Sequence, residues 1–313
     1  MCYRMYQHLC HRIGSHAGDL SDSPRPDGNR CATGRPRIRY GPTFMAHPPF
    51  ILKQGTAPLL VSMPHIGTHV PDALAARLTD EGRRVPDTDW HLPLLYDFAE
   101  SLGASILMAT HSRYVIDLNR PSDNANLYPG QDTTGLCPVD TFDKTPLYQS
   151  GTGPDDAEIG ARRDSVWMPY HQALQQELSR LRTLHPSVAL WDAHSIRSEL
   201  PRFFEGCLPD FNLGTANGTS CDPALADAVF AIAQAATPFT AVLNGRFKGG
   251  YITRQYGKPS DGVHAIQLEL SQRVYMNETH PFAYREDLAS QVKPHLKAML
   301  DAVLAHVGSQ QRA

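Results

Sequence analysis

The feature that most constrains the fold of this chain is an alternation of short apolar runs with longer helix-like segments from Pro58 onward. "LLVSM", "ASILMATH", "SVALWDAHS" and "HAIQLELS" have the length and apolar character of buried strands. Residues 166–184 carry apolar side chains at spacings of three and four, which predicts one face of a long helix. Residues 90–102, 223–236 and 288–307 also read as helices. We therefore predict an α/β fold of three layers, with a mixed, mostly parallel central sheet and helices on both faces.

Composition limits the classes of function. The 313 residues include 29 basic and 32 acidic side chains, with a net charge of -3 and no long run of one sign, so no surface for nucleic acid is expected. No apolar stretch long enough to span a membrane is visible. The 15 histidines attract more interest, because imidazole is the commonest metal ligand and general base. We expect a small-molecule substrate, and a monomer or small homo-oligomer.

The N-terminal segment differs from the rest of the chain. Residues 1–44 are rich in Arg, Gly, Pro and Ser and show no apolar periodicity. They also lack the apolar stretch of roughly 7–15 residues that a secretory signal requires. We predict a disordered extension over 1–44, with a transit-like peptide as the alternative, and a single α/β domain over 45–313. The six cysteines form no CxxC pair, which favours a reducing cytoplasm.

Polar side chains collect where the apolar runs end. His65 follows "LLVSMP", Asp117 follows "YVI", and His194 and Glu269 lie near the ends of later runs. In open α/β sheets, ligands bind at the carboxyl ends of the strands. Two histidines and a carboxylate make the open three-ligand zinc site of a hydrolase, and a further carboxylate serves as general base and acid. Asp192, two positions before His194 on the same side of its strand, is suited to orient the imidazole.

Simpler interpretations stay open for the same residues. His65 is also consistent with a turn residue bonded to a backbone carbonyl, and Asp117 with an ion-pair partner of Arg113 or Arg120. Glu269 lies between two leucines, where an unpaired carboxylate is costly, so it needs a partner, a function or an exposed face. Five further histidines are predicted to be ordinary residues: His69, His91, His111, His171 and His264.

Seven motifs, in order, carry a resemblance to a known family. They are "SMPHIGTHVP", "DTDWHLPLLYDFAESLGA", "SRYVIDLNRP", "LWDAHSIRS", "FEGCLPDFNLGT", "GRFKGGYITRQYG" and "HAIQLELSQRVYMNE". Together they resemble the N-formylglutamate amidohydrolase family, also called N-formylglutamate deformylase, of histidine breakdown. The likeness runs from about Pro58 to Glu278. It implies a phosphorylase/hydrolase-like fold similar to that of zinc carboxypeptidases and aspartoacylase.

The resemblance implies a metal site. His65 and His194 would be zinc ligands, with cobalt or another divalent metal as an alternative ion. An acid from "PDTDW" would complete the set, and Asp89 is favoured over Asp87. Carboxypeptidase-type relatives take their acid three residues after the first histidine, where this chain has Thr68. A role for His91 beside these acids also stays open.

The resemblance further implies catalytic and substrate-binding residues. Glu269 takes the place of the relatives' general base, and Arg113 would stabilise the developing oxyanion. Arg120, with Asn119, would bind a substrate carboxylate through its guanidinium fork. A second carboxylate requires a second cation, for which Arg254 is the candidate. The paired glycines before Arg254 predict a mobile loop that closes over the substrate.

The implied reaction is metal-assisted hydrolysis of N-formyl-L-glutamate to L-glutamate and formate, the last step of a histidine degradation route. The Gly-x-Ser-x-Gly motif of serine hydrolases is absent, so no acyl-enzyme is expected. One alternative is a related zinc amidohydrolase for another acidic N-acyl amino acid. Another is a binder of acidic ligands that keeps the fold without turnover.

Overall fold

The computed structural model describes residues 47–127 and 130–309. The predicted extension over 1–44 and the start of the domain at residue 45 lie outside these residues. None of the described helices is both long enough and apolar enough to cross a membrane.

The described residues form one seven-stranded mixed sheet. Its strands, in chain order, are β1 (Phe50–Lys53), β2 (Leu59–Met63), β3 (Ser105–Ala109), β4 (Val188–Ile196), β5 (Phe211–Gly214), β6 (Ala241–Leu243) and β7 (Val263–Ser271). In space their order is β1-β3-β2-β4-β7-β5-β6. The pairs β1/β3 and β5/β7 are antiparallel, and the other four neighbouring pairs are parallel. The predicted mixed, mostly parallel sheet is confirmed.

Helices cover both faces of this sheet. They are α1 (Asp72–Ala75), α2 (Asp80–Arg83), α3 (Leu92–Leu95), α4 (Asp156–Arg162), α5 (Met168–Leu184), α6 (Pro223–Ala235), α7 (Tyr251–Tyr256) and α8 (Glu286–Ser309). A π-helical turn, Arg163–Trp167, joins α4 to α5. Short 3-10 turns lie at Asp97–Leu102, Ala216–Gly218, Pro259–Asp261 and Gln272–Val274.

The core has two main parts because strand side chains alternate between faces. In β2, Leu59 and Val61 pack with residues of α6 and α8, whereas Leu60 packs with residues of α5 on the opposite face. In β4, Trp191 belongs to the first cluster and Leu190 to the second. The three layers follow from this alternation, and each layer of helices buries one face of the sheet.

The same alternation positions the polar residues near the strand ends. Leu190 faces the α5 side, so Asp192 and His194 on the same strand face that side as well. In β7, Ala265 packs on the α5 side, and Glu269 has the same parity. Because β4 and β7 are parallel neighbours with His194 opposite Glu269, the two side chains lie side by side.

The fold differs from the expected elements in three places. Residues 90–102 break at Tyr96 into α3 and a 3-10 turn, which ends at Gly103 with a left-handed φ of 73°. The apolar run before Asp117, which the sequence places like the strand ends that precede His65 and His194, forms no strand in the described residues, since Val115 and Ile116 lie in a buried turned segment. Apolar character alone does not separate such a segment from a strand. The loop expected before and around Arg254 is largely α7.

Candidate metal centre and active-site cavity

Three side chains that are distant in sequence meet at the carboxyl end of the sheet. His65 lies two residues beyond β2, Asp89 lies in a turn before α3, and His194 lies in β4. One potential ligand atom from each lies within 4.8 Å of the others. Nδ1 of His194 is 3.0 Å and Nδ1 of His65 is 3.8 Å from Oδ2 of Asp89. All three residues are buried, at no more than 3 % exposure.

Two further carboxylates fix the orientation of the imidazoles. Nε2 of His65 bonds to Oδ1 of Asp117 at 2.7 Å, and Nε2 of His194 lies 3.1 Å from Oδ2 of Asp192. A histidine that gives its Nε2 proton to a carboxylate presents the lone pair of Nδ1 to a metal. Both Nδ1 atoms do face Asp89. Two imidazoles and one carboxylate, with the remaining position open, match the donor set of a catalytic zinc site, so the residues fit the metal that sequence analysis suggested.

The structure distinguishes the two acids of "PDTDW". Asp87 accepts a hydrogen bond from the Tyr114 hydroxyl at 2.6 Å and another from the Phe142 amide at 2.8 Å. Burial raises the pKa of Asp87 to about 6. Asp89 instead turns its carboxylate toward the two histidines. Asp89 is therefore the acid that the fold brings to the candidate metal site.

The turn that carries Asp89 is held by the segment after β7. The Gln272 side-chain amide donates to the carbonyl of Thr88 at 3.0 Å, and the Tyr275 hydroxyl donates to the carbonyl of Trp90 at 2.9 Å. Neither residue is predictable from the sequence, because nothing in their types signals a contact with a remote backbone carbonyl.

Nearby, the His91 ring points away from the metal ligands. Its Nε2 lies 2.6 Å from the carbonyl of Phe282. His91 thus takes no part in the ligand group. None of the five histidines predicted to be ordinary lines the cavity that His65 and His194 line.

Charge is concentrated around the candidate ligands. Burial alone would lower the pKa of His194, but the carboxylates of Asp192 and Asp89 raise it well above its usual range. Burial and the Arg113 guanidinium lower the pKa of His65. Burial would raise the pKa of Asp117, yet His65 and Arg113 hold it well below its usual range. These neighbouring carboxylates would stabilise a cation held by His65, Asp89 and His194.

Glu269 lies beside this group without belonging to it. It is 8 % exposed and lines the same cavity as His65 and His194. Burial raises the pKa of Glu269 to about 8. A divalent cation at the neighbouring ligands would lower that pKa toward neutrality, where a carboxyl group exchanges protons most readily.

The cavity in front of these residues is open to solvent and has about 80 Å³ of space for the centres of water-sized molecules. Arg113 and Arg120 line it, and both approach Oδ2 of Asp117, at 2.8 Å and 3.9 Å. The Arg113 guanidinium also lies 4.8 Å from the centre of the Phe142 ring. The predicted ion pairing of Asp117 is thus present, and Asp117 also contacts His65. Both arginines still line the cavity despite their contacts with Asp117.

The other two predicted substrate-binding residues occupy different positions. Asn119 lines the cavity, but its amide is engaged: Oδ1 accepts from the Ile252 amide at 2.8 Å, and Nδ2 donates to Oδ2 of Asp192 at 3.4 Å and lies beside the His194 ring. Arg254 lies in α7, where its Nε donates to the Gly249 carbonyl, and it is not among the residues that line the cavity. Arg246 lines it instead. Arg246 was not among the predicted site residues, although it belongs to the same "GRFKGGYITRQYG" motif.

Comparison with known proteins identifies the family of this chain. Residues 57–276 match the model of the N-formylglutamate amidohydrolase family. The chain belongs to this family. The matched range contains all three candidate metal ligands and Glu269, so the family resemblance drawn from the motifs is confirmed.

Curated relatives span nearly the same domain. The chain is 54 % identical over 252 residues to an N-formylglutamate deformylase of Pseudomonas putida, covering 80 % of this chain and 94 % of the relative. It is also 54 % identical over 253 residues to an N-formylglutamate deformylase of Pseudomonas aeruginosa, covering 81 % and 95 %.

Two solved structures share the fold. An N-formylglutamate amidohydrolase from Ralstonia eutropha aligns with a TM-score of 0.71 at 25 % identity, over 84 % of this chain and 99 % of that one. A gene product of Agrobacterium tumefaciens aligns with a TM-score of 0.65 at 18 % identity, over 84 % and 98 %, and supports the fold alone.

Proposed function

We propose that this chain hydrolyses the formamide bond of N-formyl-L-glutamate, releasing L-glutamate and formate. The relatives named for this deformylation are 54 % identical over almost their whole length. The proposal is carried by one observation: a single cavity brings together the group of His65, Asp89 and His194, the buried carboxylate of Glu269, and arginine side chains. Such a site suits hydrolysis of an anionic amide.

His65, Asp89 and His194 would hold the metal, which we propose to be zinc. When bound, a zinc ion acidifies a water molecule and polarises the carbonyl of the scissile amide. Asp117 and Asp192 keep the two imidazoles in the orientation that ligation requires.

Glu269 is the proposed general base and acid. It accepts a proton from the attacking water and later donates a proton to the departing amine, so one residue serves both half-steps. Its raised pKa fits this role, because a carboxyl group with an ordinary pKa holds a proton too weakly to deliver it near neutral pH.

Arg113 and Arg120 are the proposed cationic groups of the cavity. Asp117 and the Phe142 ring hold the Arg113 guanidinium in place, so it donates to the oxygen on which negative charge develops without first reorganising. Arg120 binds the substrate's α-carboxylate. Asn119 forms part of the cavity wall, where its side-chain amide lies beside His194. We further propose a cytoplasmic enzyme of histidine degradation, as a monomer or small homo-oligomer.

The test is formate release from N-formyl-L-glutamate by the purified protein before chelation, after chelation and after zinc is restored. We expect activity to disappear with the chelator and return with zinc. Glu269→Gln should lower kcat by about 100-fold or more while zinc still binds, since general acid-base catalysis contributes that much. Glu205→Gln, on the surface, is the matched control and should leave kcat unchanged. A zinc-loaded wild-type protein that releases no formate would refute the proposal.

A further inference from the structure

The cavity has a second cationic position in a different setting from the metal site. Its wall includes Phe203, Arg246 and Phe247. Phe142 and Ile196 belong to the same wall and to a third apolar cluster, against which Phe203 and Phe247 pack. The cavity therefore joins a polar end, with the metal ligands and Glu269, to an aromatic wall that carries an arginine.

Contacts with the aromatic wall hold Arg246. Its Nε donates to the Phe203 carbonyl at 2.6 Å, and its guanidinium carbon lies 5.9 Å from the centre of the Phe203 ring and 5.4 Å from that of Phe247. Stacking on aromatic rings restricts a guanidinium while leaving donors at its edge available to a ligand.

The segment that carries Arg246 is fixed at both ends. Before it, the Asn244 side chain bonds to both the amide and the hydroxyl of Thr215, at 2.9 Å and 2.8 Å. After it, the Gly250 amide donates to Oε1 of Gln267 at 2.7 Å, on the strand that carries Glu269. This anchoring preorganises Arg246 relative to the catalytic strand, which lowers the entropic cost of binding a ligand there.

The chemistry of the proposed substrate requires two separate anion sites. N-formyl-L-glutamate has an α-carboxylate next to the reacting amide and a second carboxylate at the end of its side chain. Arg113 and Arg120 both gather around Asp117, which holds a metal-ligating histidine, so they lie on the reacting side of the cavity. Arg246 belongs to the aromatic wall.

We propose that Arg246 binds the side-chain carboxylate of the substrate, while Phe203 and Phe247 contact its methylene groups. This inference rests on the proposed function and deepens it, because it makes Arg246 the residue that selects acidic N-formyl amino acids. It also moves the role expected for Arg254 to a different residue of the same motif.

The test compares two substrates and two arginines. N-formyl-L-glutamine has the shape of N-formyl-L-glutamate but lacks the second charge. Arg246→Gln should lower kcat/KM for N-formyl-L-glutamate by about 10- to 100-fold, the usual value of a hydrogen bond to a charged group, and change kcat/KM for N-formyl-L-glutamine by less than about threefold. Arg254→Gln, in the same motif but off the cavity wall, tests the arginine that the sequence suggested for this role; loss of its bond to Gly249 can lower both kcat/KM values, but their ratio should stay near that of the wild type. Arg246→Lys, which keeps the charge without the fork, should lie between Arg246→Gln and the wild type.

Several results would overturn the inference. An equal loss on both substrates would assign Arg246 a structural role, and the same substrate-selective loss in Arg254→Gln would return the role to Arg254. Unchanged kinetics in Arg246→Gln would exclude the contact altogether. Thermal melting identifies a variant that fails to fold, in which case Arg246→Lys decides by the same substrate comparison. A wild-type protein inactive on N-formyl-L-glutamate would remove the proposed function and this inference together, whereas the other results overturn the inference alone.

Discussion

Replacing Gly250 by alanine should damage the site through a single clash. A Cβ atom at residue 250 would lie 2.4 Å from Nδ2 of Asn119 and 2.6 Å from its Cγ and Oδ1. The Asn119 amide cannot swing aside freely, because Oδ1 accepts a hydrogen bond from Ile252 and Nδ2 lies against His194. Its backbone amide is also bound, to Oδ1 of Asp117 at 2.8 Å. Either the α7 segment or the Asn119 side chain must therefore shift.

The expected cost has two parts. Overpacking a tight site by one methyl group costs about 1–3 kcal/mol. Loss of the Asn119–Ile252 hydrogen bond adds about 1 kcal/mol. We expect Gly250→Ala to lower the free energy of unfolding by about 2–4 kcal/mol. Since the displaced amide lies beside His194, a proposed metal ligand, zinc affinity should fall by about tenfold or more.

Urea unfolding and zinc competition with a chelating dye measure these two effects. Gly153→Ala is the matched control, because a Cβ there meets nothing within 4 Å and its φ is not in the left-handed region. Its free energy of unfolding should stay within about 0.5 kcal/mol of the wild-type value. If Gly250→Ala matched Gly153→Ala in both stability and zinc affinity, the Asn119 contacts would not be holding the site.

Three further substitutions test the supporting contacts. Asp117→Asn should lower zinc affinity by about 10- to 100-fold in dye competition, because the carboxylate that orients His65 is lost, and unchanged affinity would contradict this role. Tyr275→Phe should lower the free energy of unfolding in urea by about 1–3 kcal/mol and weaken zinc binding, since the Trp90 carbonyl loses its donor. A loss of stability with full zinc affinity would show that this contact does not support the candidate metal site. Burial lowers the pKa of His171 to about 4, whereas a histidine of the unfolded chain has a pKa of about 6.5. As the pH drops, the unfolded chain therefore binds the proton first. The free energy of unfolding should fall by about 3 kcal/mol between about pH 6.5 and about pH 4. His171→Gln should flatten this part of the stability curve relative to the surface control His280→Gln, and parallel curves would refute the assignment.

Much of the fold was predictable because apolar spacing reports burial directly. β2, β4 and β7 coincide with the predicted strands, and residues 166–184 form a helix over most of their length, as α5 shows. The polar residues at the strand ends were recognisable for a related reason. A histidine or a glutamate in a strand as apolar as β4 or β7 is costly unless it has a partner or a function.

Residues outside regular strands were harder to predict. The segment "VIDLNR" begins with an apolar run like that of a strand, but it forms buried turns. Tertiary contacts stabilise these turns, such as the bond from the Asp117 amide to the Leu136 carbonyl. Arg246 and Arg254 belong to the same motif, and only the path of the chain between β6 and α7 decides which one reaches the cavity. Local sequence does not encode that path.

A physical distinction separates the residues that sequence can identify from those it cannot. Glu269, the proposed general base, is a carboxylate in a buried apolar strand, where that residue type is rare. Gln272 and Tyr275 follow on the same segment and act by binding the carbonyls on either side of Asp89. Any donor of suitable length satisfies a carbonyl, so these positions have no distinctive residue type, yet they tie the strand of the proposed base to the turn of a proposed metal ligand. A shift of that segment would therefore displace the proposed base, Glu269, and the proposed ligand, Asp89, together. A substitution that disturbs the segment should impair both residues at once.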